Sequence, residues 1–295
     1  MTFAAFSYLQ AQSGQRCRHR QCWSARIAAE ALGAITVMRT HWYLLAIVLY
    51  ALVGCKDPEV EMKTRDTAVN WSGLAGKRIL FAHQSVDAKI LNGISTLAKR
   101  DGVDLQIHEL GSTAATEGIT HFNVGRNGDP LGKIRDYSTT LEARTGLGVD
   151  IALMKLCYID FDANTDGVQL ADAYIASLDA LAGKHPDTRF IAVTAPLAVV
   201  QTGPKAWIKK VLGKQPAQYL ENARRSEFNE VLRKRYKTGN RLFDLARIEA
   251  QGTGANGVGS DRVESLHPAL TDDGGHLNAK GEILVATEFL NMIGT

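Results

Sequence analysis

Cysteine is the first scarcity in this sequence. Four are present in 295 residues, three of them (Cys17, Cys22 and Cys55) near the N-terminus. Cys157 stands alone in the remainder, so that part can form no internal disulfide. Its stability must come from a core, and about 220 residues suffice for one. Long apolar runs are also missing. The longest at the N-terminus, Trp42–Val53 (WYLLAIVLYALV), has twelve residues, whereas a spanning helix needs about twenty. This excludes a multi-span membrane protein. Excess charge of one sign is missing too. The net charge is +3, and residues 1–54 account for it with five arginines against one acid, Glu30. The remaining 241 residues hold 29 bases and 30 acids. Nucleic-acid binding requires a concentrated basic surface, so no nucleic-acid partner is expected. The densest basic cluster, Arg233-Lys234-Arg235, reads as a solvated helix face. No repeat period is evident.

What is present at the N-terminus is a processing signal. Met38 and Arg39 precede the twelve-residue apolar run, as the start and basic region of a secretory signal do. The run ends in Leu52-Val53-Gly54-Cys55, which resembles the lipobox of bacterial lipoproteins. That resemblance implies acylation of Cys55, a signal peptide over 38–54, and a membrane attachment through Cys55. Lys56 after it, rather than Asp, implies an outer-membrane location where the cell has two membranes. Residues 1–37 then form a doubtful leader before the natural start. A single membrane anchor with a basic arm is the alternative. Residues 55–76 read as a tether, leaving 77–295 as the folded domain.

Within that domain, strand-length apolar runs alternate with segments of helical period. Strands are expected at 78–82, 103–107, 150–156, 189–194 and 241–245. Helices are expected at 86–100, 130–144, 168–183, 216–236 and 279–292. The alternation predicts an α/β fold with a five-stranded parallel sheet between two helical layers. Ligands of such sheets bind beyond the C-terminal strand ends.

Two segments at those ends carry chemistry. His83-Gln84-Ser85 leads from the first strand into a helix, where Ser85 is either a nucleophile or an ordinary helix cap. Asp273-Gly274-Gly275-His276-Leu277-Asn278 precedes the last helix. Its spacing lets a carboxylate orient an imidazole, the base half of a nucleophilic triad. A capping Asp beside a surface His, or a metal-ligand pair, are the other readings.

Together these blocks resemble the SGNH, or GDSL, hydrolase family across about 77–292. The resemblance implies a flavodoxin-like three-layer α/β/α fold and a serine esterase needing no cofactor or metal. It places the nucleophile at Ser85 and the catalytic pair at Asp273 and His276. It places an oxyanion hole at the backbone N–H groups of Ser85 and Gly128, with Gly111 as competitor for the latter. In the family's Gly-x-Asn-Asp block this chain reads Cys157-Tyr158-Ile159-Asp160. Asp160 matches, but Ile159 lacks the amide that an oxyanion requires, a loss of about 10²–10³ in rate. Asn127, Lys155 and Tyr158 are candidate replacements. His83 either lines the site or is a buried, hydrogen-bonded histidine.

The remaining motifs are incomplete. Asp160, Asp162, Asn164, Asp166 and Gly167 resemble half of a calcium loop without its closing acid; an acidic turn before a helix is the competing reading. His121 and His267 read as surface residues in loops. Residues 252–259 (GTGANGVG) lack the Lys-Ser/Thr of a phosphate loop. The expected function is an exported, lipid-anchored carboxylic-ester hydrolase acting on small-molecule or polysaccharide esters. A non-catalytic glycan-binding lipoprotein is the alternative.

Overall fold

The computed structural model describes residues 68–84, 88–111, 116–143, 148–251 and 263–295. The signal, Cys55, the tether up to residue 67, Ser85 and the glycine-rich 252–259 lie outside the described residues.

β1 (Arg78–His83) is followed by α1 (Ala88–Asp101), β2 (Ile107–Glu109), β3 (Gly118–Asn123) and α2 (Pro130–Glu142). β4 (Ile151–Met154), α3 (Gly167–Lys184), β5 (Arg189–Val193), α4 (Gly203–Val211) and α5 (Tyr219–Arg235) come next. β6 (Leu242–Phe243), α6 (Leu245–Glu249) and α7 (Ala279–Ile293) complete the order. All strand pairs are parallel, in the order β2-β3-β1-β4-β5-β6.

The sheet therefore has six strands, not the expected five. Removing edge strand β2 leaves the flavodoxin-like order. The run 103–107 does not form the inner neighbour of β1; β3 does, pairing Ile79 with Ile119. β3 (GITHFN) was hidden by the Gly, Ser and Thr around it, which read as loop. α4 was likewise not foreseen.

Strand alternation divides the core into two layers. Ile79 and Phe81 join Ile119, Leu153 and Val193 against α1 and α7, which contribute Ile94, Leu97, Phe289 and Leu290. Leu80 and Ala82 face the other way with Met154 and Phe190, against Tyr137, Tyr174 and Phe228 of α2, α3 and α5. The apolar character of β4 and β5 follows, since both faces are covered. The chain turns first to one side of β1 and then, with β4, to the other. The β1–β4 boundary is thus the topological switch, and its C-terminal edge carries Gln84 on one side and Lys155 on the other.

Candidate active site

The Asp273–His276 loop is shaped by its two glycines. Gly274 has φ +87, a left-handed conformation that a side chain disfavours. Gly275 lies against Tyr158, where an added Cβ would sit 2.8 Å from the ring Cζ. The turn so formed lets Oδ1 of Asp273 accept the backbone N–H of His276 at 2.8 Å and of Gly275 at 2.9 Å. Oδ2 bonds the imidazole Nδ1. These donors, led by the His276 backbone N–H, hold the Asp273 carboxyl well below the usual carboxylate range. An ionised Asp273 fixes Nδ1 as the protonated nitrogen, leaving Nε2 as the basic one. The Nε2 atom has no hydrogen-bond partner among the described residues, and the ring lines a cleft.

Tyr158 sets the other side of the ring. Its own ring meets His276 edge-on, with centroids 5.3 Å apart. Tyr158 is held in turn by Arg225, whose Nη2 donates to the Tyr158 carbonyl at 2.7 Å. Burial lowers the Arg225 guanidinium to about 10, so it stays cationic at neutral pH. Lys155, at the end of β4, is buried and lines the same cleft, with Lys89, Pro196 and Glu249 beside it.

The segment after β5 supports the loop. Residues 195–200 are apolar and almost wholly buried, and every backbone N–H there finds a partner. Ala195 N–H goes to Asn229 Oδ1 at 2.7 Å, Leu197 to Glu249 Oε2 at 2.6 Å, and Ala198 to Asn222 Oδ1 at 3.1 Å. Val200 N–H goes to Ser265 Oγ at 3.0 Å. Val199 N–H goes to the Gly274 carbonyl at 2.8 Å, tying this segment to the Asp273–His276 turn. Asn222, Arg225 and Asn229 lie at helical spacing on one face of α5. None of these supports was found from sequence, and Glu249 was missed as a cleft residue.

Asp160 belongs elsewhere. It forms a fully buried ion pair with Lys133, Nζ to Oδ2 at 2.6 Å. Its Oδ2 also accepts Cys157 N–H at 2.7 Å, and its Oδ1 accepts Gly128 N–H at 2.9 Å. The Gly128 amide assigned to an oxyanion is thus already engaged, because a carboxylate buried beside it takes the donor. Lys133 Nζ also donates to Asn127 Oδ1 at 2.8 Å. That fixes the carbonyl end of Asn127 and turns its NH₂ away from the ion pair. Ile159 is exposed, at 55%.

His83 is buried and is not among the residues that line the described cleft. Its Nδ1–H donates to the Gln84 carbonyl at 2.7 Å, so Nε2 accepts from His121 Nδ1 at 3.1 Å. His121 is a β3 residue and His267 is buried, its Nδ1 accepting Ala269 N–H at 3.0 Å; neither is a surface loop histidine. Burial pushes both imidazoles down. Arg233 is not solvated, because Glu230, Asp244 and Glu264 pair with it. Arg235 pairs with Asp179. The acids of the half calcium loop have separate tasks: Asp162 accepts Asn164 N–H at 2.8 Å, and Asp166 caps α3 through Gln169 N–H at 2.9 Å.

No family model matches the chain, and no curated protein does. Solved structures similar to it include the psychrotrophic esterase EstA of Pseudoalteromonas sp., at 13% identity and TM-score 0.41 over 73% of this chain and 95% of that one. TesA is similar at 11% identity and TM-score 0.41, over 72% of this chain and 96% of that one. The periplasmic domain of the lipopolysaccharide acetyltransferase of Salmonella ser. Paratyphi A is similar at 16% identity and TM-score 0.39, over 73% and 83%. Likeness at this level assigns no activity; the chemistry rests on the residues of the site.

Proposed function

We propose that the protein is a serine ester hydrolase of the SGNH type. The observation that carries this reading is the Asp273–His276 pair: an ionised carboxylate on Nδ1 of an imidazole that lines a cleft at the sheet's C-terminal edge. Ser85 Oγ attacks the acyl carbon while His276 Nε2 takes its proton. The same proton then passes to the departing alcohol oxygen as the ester C–O bond breaks. Water, deprotonated by His276, releases the acid and restores Ser85. Asp273 stabilises the imidazolium in both halves. The oxyanion is held by the Ser85 backbone N–H and the Asn127 side-chain amide, in place of the Gly128 amide and the absent block Asn. Export and attachment through acylated Cys55, to the outer membrane where present, follow from the N-terminal signal. The substrates are then small-molecule, lipid or polysaccharide esters met in the cell envelope. Transfer of the acyl group to another alcohol uses the same steps, with that alcohol replacing water.

The test is turnover of p-nitrophenyl acetate and longer acyl esters by wild type, Ser85→Ala and His276→Ala, with and without a strong chelator. The reading expects activity that the chelator spares and either substitution abolishes. Chelator-sensitive activity supports a metal hydrolase instead. No turnover by a folded wild type supports the glycan-binding alternative, to which exposed Ile159 in the Asn place lends weight.

A further inference from the structure

α4 is built unlike the other helices. Trp207, Ile208, Val211 and Leu212 are exposed at 66%, 50%, 64% and 66%. At 100° per residue these four fall within one arc of about 140°. Ala206, the buried residue of the helix, lies opposite that arc. Lys205, Lys209 and Lys210 occupy the positions between, flanking the apolar arc on both sides, and Lys214 follows the helix end. None of these four lysines makes an ion pair with the described residues. No Asp or Glu occurs from Thr188 to Leu220, while Arg189 and these four lysines do.

An exposed apolar ridge with an all-cationic border, on a short helix, has the composition of a surface element that enters a lipid interface. A water-facing helix would carry polar residues in that arc. A protein partner matched to this ridge would need an acidic rim, and a second copy of the same face brings only more lysine. The excursion springs from a fixed base: Gln201 N–H bonds the Ala217 carbonyl at 3.1 Å, and Val199 N–H, two residues earlier, bonds Gly274. The ridge thus stands on the segment that braces the Asp273–His276 turn.

We infer that α4 docks on an anionic lipid surface, with Trp207, Ile208, Val211 and Leu212 inserted among the acyl chains and the lysines against the headgroups. This inference does not depend on the esterase reading. The experiment uses residues 55–295, the part that follows the proposed signal, carrying Cys55→Ser, so that both the apolar run Trp42–Val53 and the acylation acceptor are absent. This protein is co-sedimented with vesicles of phosphatidylcholine and phosphatidylglycerol, two to one, and with phosphatidylcholine alone. A second protein adds Trp207→Ser, Ile208→Ser, Val211→Ser and Leu212→Ser, all at exposed positions, with thermal unfolding as the check on its fold. A third replaces the four lysines by Ser. The expected result is preference for anionic vesicles, weakened roughly tenfold or more by either set and by salt raised to about 0.5 M. Equal binding to both vesicle types, or binding unmoved by the four Ser changes, overturns it. So does a dimer in sedimentation equilibrium that those changes dissolve, because the ridge would then be a self-association face.

Discussion

The backbone N–H of Gly128 donates to Asp160 Oδ1 at 2.9 Å, the same carboxylate that pairs with Lys133 inside the core. Asp160 therefore holds the Gly128 turn shut instead of leaving its amide for substrate. Removing Asp160 strands a buried ammonium and two backbone donors. Asp160→Ala should cost about 3–5 kcal/mol in urea unfolding, and Lys133→Met a similar amount. A loss below about 1 kcal/mol for both would mean the pair is solvated in solution.

In the proposed mechanism the Asn127 side-chain amide takes the place of the engaged Gly128 N–H. Asn127→Ala should lower kcat by about 10²–10³ with KM little changed. Asn127→Asp should be as damaging, since it sets a negative charge where negative charge develops. Steady-state kinetics on one ester settles the matter; unchanged kcat in both variants removes Asn127 from the mechanism.

Gly275 and Tyr158 are coupled by contact. Gly275→Ala places a methyl 2.8 Å from the Tyr158 Cζ, so the ring or the turn must move, and kcat/KM should fall. Tyr158→Ala removes the obstacle. The double variant should then be no worse than Tyr158→Ala alone, a strongly non-additive cycle. Additive losses would show that Gly275 is required for backbone freedom only.

Asp273 gives the molecule an acid limit. Its folded carboxyl titrates below the unfolded value of about 3.9, held there first by the His276 backbone N–H. Its stabilising contribution is complete above that unfolded value and is lost as pH falls through the folded one. Asp273→Asn should therefore be less stable than wild type at pH 6, and the difference should close in stronger acid. The side chain is half exposed, so the gap is modest. Urea midpoints across pH check this; a gap independent of pH contradicts it. Turnover should fall by about 10⁴ in the same variant.

Some of this was legible in the sequence because the signal is local. β1, β4 and β5 announce themselves by unbroken apolar runs, and Asp273 and His276 by a three-residue spacing with two glycines between. What was hidden is non-local. Lys133 and Asp160 lie 27 positions apart, and the residues that satisfy the 195–200 backbone lie 24 to 75 positions away. No period or motif links such pairs, since only the folded sheet brings them together. β3 and α4 failed for another reason: one is embedded in turn-forming residues, and the other exposes the apolar side chains that a pattern search assigns to a core.

The central claim is that His276, oriented by Asp273, activates Ser85. Reaction with a fluorophosphonate probe, with the modified peptide identified by mass spectrometry, tests it most directly. The account predicts stoichiometric labelling at Ser85 in wild type, abolished by Ser85→Ala and severely slowed by His276→Ala. A folded wild-type protein that takes no label, or takes it at another residue, would contradict the account.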